Sequence, residues 1–97
     1  DIFARFGGEE FVCLLPETDA EGALDVAEKM HKAVQWLDIP HVASPAADVL
    51  TASFGVATLI AQKDRDLNDL ISLADAALYD AKEKGRNRIV RSDPVLP

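Results

Sequence analysis

Residues 5–15 read Arg5-Phe6-Gly7-Gly8-Glu9-Glu10-Phe11-Val12-Cys13-Leu14-Leu15. A Gly-Gly pair between two apolar-rich runs signals a tight hairpin. Both central positions of a two-residue turn need positive φ, which glycine adopts without steric cost. Strands are therefore expected over 1–6 and 9–15. Residues 11–15 are apolar at every position. Successive strand side chains point to opposite faces, so both faces of this strand are expected to be covered, inside a sheet and not at its edge.

The two glutamates behind the turn need a separate account, since a plain hairpin requires only the glycines. A turn centred on Gly7 and Gly8 pairs Phe6 with Glu9 and Arg5 with Glu10. Glu10 is then expected to meet Arg5 across the strands, an ion pair worth ~0.2–1 kcal/mol. Glu9 points the other way and has no basic partner in that register. A carboxylate beside bare glycine backbone is half of the arrangement that holds a hard divalent cation such as Mg²⁺ together with a substrate phosphate. A second carboxylate from elsewhere would complete it.

Working outward, Pro16 ends the second strand. Thr18 and Glu21, three residues apart, predict a capping box, and Ala20, Ala23, Leu24, Ala27, Met30, His31 and Val34 follow at helical spacing, giving a helix over 20–37. Met30 on that stripe reads as core packing. Residues 38–48, with Pro40 and Pro45, read as a connection, and 49–59 as β-rich. Gly55 within Ser53-Phe54-Gly55-Val56 marks a bulge or a close backbone approach. Asp66 is placed to cap a second helix that buries Leu67, Leu70, Ile71, Ala74, Ala77, Leu78 and Ala81 and stops at Gly85. Residues 87–91 suit a short last strand, and 92–97 a tail. The order β-β-α-β-α-β describes an α+β fold, an α/β layer with helices flanking a sheet.

Composition narrows the function classes. Ninety-seven residues allow one small domain at most. A formal charge of −7 argues against nucleic acid as a partner. The single cysteine, Cys13, excludes an internal disulfide and reads as a small core hydrophobe. His31 and His41 have no metal-ligand spacing and read as structural. No apolar run reaches the ~18 residues of a membrane helix. Five of the ten basic residues (Lys82, Lys84, Arg86, Arg88, Arg91) fall within the last sixteen positions. Two readings apply: a solvated helix end favoured by the helix dipole, or a site for a small anion. Lys82, in the last helical turn, and Arg86, just past the glycine, are four residues apart. They would offer a point charge and a phosphate-matching fork to one anion.

Together these stretches resemble the GGDEF family, the diguanylate cyclases. The likeness covers ARFGGEEF, LPETDAEGALDVAEKMHKAV, TASFGVA and LISLADAALYDAKEKGRNRIV in the family's order and spacing. It implies part of a fold like that of the class III nucleotide cyclases. It also implies condensation of two GTP molecules to cyclic di-GMP with release of two pyrophosphates, catalysed between two facing GGDEF domains. Gly7 and Gly8 match the glycines that admit the nucleotide. Glu9 matches the carboxylate that binds Mg²⁺ (or Mn²⁺) and helps activate the attacking hydroxyl. Glu10 matches the adjoining catalytic acid, and Lys82 and Arg86 the basic pair on the GTP phosphates. Asp1 falls at the aspartate of the family's R-x-x-D product-inhibition site, and Lys29 at a helical basic position of that site where arginine is usual.

The resemblance further implies that residues 1–97 are the C-terminal portion of one GGDEF domain, with a strand, two helices, the other metal aspartate and the guanine-recognising side chains lying upstream. On that expectation the 97 residues alone are inactive and prone to self-association, since a strand lost from a sheet leaves backbone unpaired. The parent would be cytoplasmic, or membrane-anchored through an upstream segment, with a sensory or receiver domain before it. The alternative is a non-catalytic GGDEF domain that binds GTP or cyclic di-GMP as a regulatory or dimerisation module.

Overall fold

The computed structural model describes residues 2–7, 10–40, 50–60 and 66–92. Its elements are β1 (Ile2–Gly7), β2 (Glu10–Leu14), α1 (Ala20–Leu37), β3 (Phe54–Val56), α2 (Leu67–Glu83) and β4 (Ile89–Arg91). The order is the one expected, and the chain is a small α+β domain. No helix among the described residues is long and apolar enough to cross a membrane.

The strands form two pairs. β1 and β2 are antiparallel, and β3 and β4 are parallel, with α2 as the crossover between them. Parallel neighbours need such a crossover because the chain must return to the same end of the sheet. The parallel pair is continued at both ends, where Phe54 N–H donates to the Arg88 carbonyl (2.9 Å) and Ser92 N–H to the Val56 carbonyl (2.7 Å).

Two expectations for the hairpin need correction. β2 does not lie inside a sheet: among the described residues it pairs with β1 alone, and Phe11 is 58% exposed. The register also differs. Arg5 stands opposite Phe11, and Glu10 opposite Gly7. Two residues of β1 are spanned there against one step of β2, so Phe6 is the extra residue of a β-bulge. The bulge dissolves the expected Arg5–Glu10 opposition. Phe3 instead stacks on Phe11, with ring centroids 5.4 Å apart.

α1 has the expected bounds, but its cap is displaced by one residue. Asp19, not Thr18, is the N-cap, and its Oδ1 accepts from Gly22 N–H at 2.8 Å. The Thr18 hydroxyl turns back to donate to the Pro16 carbonyl. Glu21 reaches across to Arg91 at 2.9 Å, which leaves it no part in a capping box. α2 begins as expected at Asp66, with a reciprocal capping box: Asp69 N–H donates to Asp66 Oδ1 (3.1 Å) and Asp66 N–H to Asp69 Oδ2 (2.9 Å). The β-rich run over 49–59 contracts to the three residues of β3.

The core lies between α2, β3 and α1. Its buried apolar residues are Ala27, Val56, Ala77 and Ala81. All are small or β-branched, so the elements approach closely. Gly55 sets the limit: a Cβ there would strike the Ala74 carbonyl oxygen and the Leu78 backbone nitrogen of α2. The expected close approach is thus backbone against backbone. Cys13 and Met30 are half-buried and border an apolar groove of about 170 Å³ between the hairpin, the two helices and β3.

Candidate functional site

The first constellation is the hairpin turn. Gly7 ends β1 and Glu10 begins β2, with the Glu10 side chain exposed. Gly8, Glu9 and Asp1 lie outside the described residues, as does His41. Among the described residues no three His, Cys, Asp or Glu side chains gather as a metal cage. The donor chemistry of the turn is carboxylate oxygen at an exposed position. This suits a hard cation shared with a phosphate, since Mg²⁺ is commonly held by one or two carboxylates plus substrate oxygens.

The second constellation is the C-terminus of α2. Arg86 N–H donates to the Ala81 carbonyl (2.9 Å) and Gly85 N–H to the Lys82 carbonyl (3.3 Å), the paired 6→1 and 5→2 bonds of a Schellman ending. Gly85 has φ +119°, and Arg86 and Asn87 follow with φ of 63° and 50°. Three consecutive residues with positive φ are uncommon. Asparagine tolerates the left-handed region, whereas at Arg86 it costs about 1 kcal/mol or more. The neighbours hold the segment in place. Asn87 N–H donates to Ser53 Oγ (3.0 Å), and Arg88 Nε donates to the Arg86 carbonyl (3.0 Å). His31 Nε2 bonds Asn87 Oδ1 at 2.8 Å, with Gln35 Nε2 at 3.5 Å from the same oxygen.

The basic residues of this end divide by use. Lys84 pairs with Asp80 (2.8 Å) and Arg91 with Glu21 (2.9 Å). The Lys82 and Arg86 side chains make no ion pair or hydrogen bond among the described residues. The two cations singled out from the sequence are therefore those left available to an anion. Lys29, on the outer face of α1, pairs with Asp25 at 3.3 Å.

Sequence reasoning assigned no site role to His31, Gln35, Ser53 or Asn87. The only local signal was an asparagine directly after Gly85-Arg86, a residue type suited to left-handed backbone. Its partner His31 is 56 positions away, a separation no spacing rule reaches.

The fold and the two constellations define a class: an α+β domain with acidic groups at a glycine hairpin and free cations at a helix end. The family described as "Diguanylate cyclase, GGDEF domain" matches residues 1–88, and the chain belongs to the GGDEF family. It is 42% identical over 97 residues to the probable diguanylate cyclase DgcT of Escherichia coli K12, covering 98% of this chain and 21% of that protein. It is 36% identical over 97 residues to diguanylate cyclase A of Treponema denticola, covering 100% of this chain and 25% of that protein. With diguanylate cyclase DgcM of E. coli K12 it shares 38% identity over 90 residues, covering 93% and 20%. The chain thus spans a quarter or less of the length of these relatives.

Proposed function

We propose that the intact protein carrying this domain is a diguanylate cyclase. The 3′-hydroxyl of one GTP attacks the α-phosphorus of a second. A new O–P bond forms, the bond to pyrophosphate breaks, and the hydroxyl proton passes to a carboxylate. The same step in the opposite sense closes the ring, giving cyclic di-GMP and two pyrophosphates. Two facing copies of the domain each present one GTP.

In this reading Gly7 and Gly8 let the nucleotide lie against the hairpin backbone. Glu9 is the proton acceptor and cation ligand, with Glu10 beside it. Lys82 and Arg86 hold the phosphates through a point charge and a fork. A bound Mg²⁺ or Mn²⁺ would supply charge neutralisation to the triphosphate and acidify the attacking hydroxyl. Product inhibition through Asp1 and Lys29 would require Lys29 to leave Asp25. The reaction belongs to the intact protein and not to residues 1–97 by themselves; turnover of GTP with Mg²⁺ by this isolated polypeptide would refute that part.

The observation that carries the reading is the family match over residues 1–88, which contains both the acidic turn and the Lys82–Arg86 stretch. The test is Glu9→Gln in the intact protein, read by cyclic di-GMP formation with Mg²⁺. Removing the ionisable carboxylate from the reacting hydroxyl is expected to lower kcat by about 10²-fold or more. A variant that retains the parent rate removes Glu9 from the chemistry.

A further inference from the structure

Arg86 occupies costly backbone, its guanidinium makes no ion pair or hydrogen bond among the described residues, and something must hold it there. The Schellman bonds fix the backbone below it, but they end at Arg86 itself. Beyond it the chain is held by Asn87, whose N–H is taken by Ser53 Oγ and whose Oδ1 is taken by His31 Nε2. His31 is half-buried on α1 and set edge-on against Phe54, with centroids 5.8 Å apart and planes at 79°. Its ring is therefore oriented by packing before it meets Asn87. The two ends of this contact come from α1 and from the segment after α2, so it bridges elements that share no covalent neighbourhood.

We infer that His31 and Asn87 form a latch that positions Arg86 for polyphosphate binding. This rests on the reading of Lys82 and Arg86 as the phosphate site. Asn87 Oδ1 accepts and the imidazole N–H donates, so the latch closes in either the neutral Nε2–H tautomer or the imidazolium. With the latch closed, Asn87 stays left-handed and the residue before it cannot relax to ordinary helical or extended φ. With the latch open, Arg86 has lower-energy alternatives that swing the guanidinium away from Lys82. A ligand that needs the closed arrangement then binds more weakly in proportion to the fraction of molecules in which it is lost. The reacting atoms are untouched, so the effect falls on substrate affinity and not on turnover at saturation.

The experiment uses the intact protein, steady-state kinetics with GTP, and direct binding of 3′-deoxy-GTP, which lacks the attacking hydroxyl. His31→Leu and Asn87→Ala are each expected to raise KM and weaken 3′-deoxy-GTP binding by roughly three- to tenfold, the worth of one hydrogen bond, with kcat within twofold of the parent. The double variant should be no worse than either single one, and His31→Gln, which keeps an amide donor, should recover most of the affinity. In an Arg86→Ala background His31→Leu should have no further effect on binding; a further loss there would mark a merely structural role and overturn the latch. Retained affinity in both His31→Leu and Asn87→Ala, where Arg86→Ala alone weakens binding, would overturn the latch and leave the phosphate site standing. Unchanged binding in Arg86→Ala would overturn the phosphate site itself, and the latch with it.

Discussion

The hairpin and the α2–β3–β4 unit are built on different principles. β1 and β2 hold each other through backbone pairing and one exposed aromatic stack, with Phe3 64% and Phe11 58% accessible. Neither strand comes within 8 Å, Cα to Cα, of another helix or strand. A lone two-stranded hairpin is marginal in water. The other unit has Ala81 fully buried, a helix end closed by a Schellman pair, a capping box at the opposite end and a glycine that brings helix and strand into backbone contact. Glu10 thus sits on the loosely held element, and Lys82 on the tightly held one. Elements that move on ligand binding come from the low-stability end of a fold.

Four substitutions bear on this contrast. Gly55→Val drives a branched side chain into the α2 backbone, which a flexible neighbour cannot relieve. It should cost about 3 kcal/mol or more, seen as a lowered urea midpoint. A near-parental midpoint would mean that α2 and β3 are not in close backbone contact, and the contrast would fail. Next comes capping. Asp66→Ala removes one side of a reciprocal pair and should cost about 1–2 kcal/mol, against about 0.5–1 for Asp19→Ala, which removes a single bond. Equal losses would show that the box adds nothing. Comparable to the Asp19 loss is Phe11→Ala, which removes the exposed stack with Phe3, worth about 0.5–1.5 kcal/mol. Hydrogen exchange should show faster exchange of the β1 and β2 amides alone; faster exchange in α2 as well would show the two regions to be one cooperative unit.

The sequence made the tightly held unit more legible than the hairpin, for a physical reason. Helix bounds follow from side-chain periodicity and caps, which are local, so α1 over 20–37 and the Asp66 start of α2 were readable. Gly55 announced itself because a glycine inside a strand has few other uses. The hairpin was misread where one extra residue decided the register. The bulge at Phe6 leaves no mark in composition, yet it moves Arg5 from Glu10 to Phe11. The cap of α1 was missed by one position because Thr18 and Asp19 are adjacent, equally able oxygen acceptors, and the choice was made by Pro16 and Arg91. At the site, Lys82 and Arg86 were found through their four-residue spacing. That Lys84 and Arg91 are taken by ion pairs, while Lys82 and Arg86 make none among the described residues, depended on where Asp80 and Glu21 stand, and only the folded chain shows it for Glu21.

The absence of a side chain at Gly55 also has a mechanical side. Between most helices and sheets lies a cushion of side chains that can repack when one layer shifts. Here carbonyl and amide of α2 lie directly on the strand, with nothing between them to yield. The contact between β3 and α2 is thus set by backbone, not by side chains that could repack. The same helix carries Lys82 in its last turn, with Arg86 three residues beyond its end.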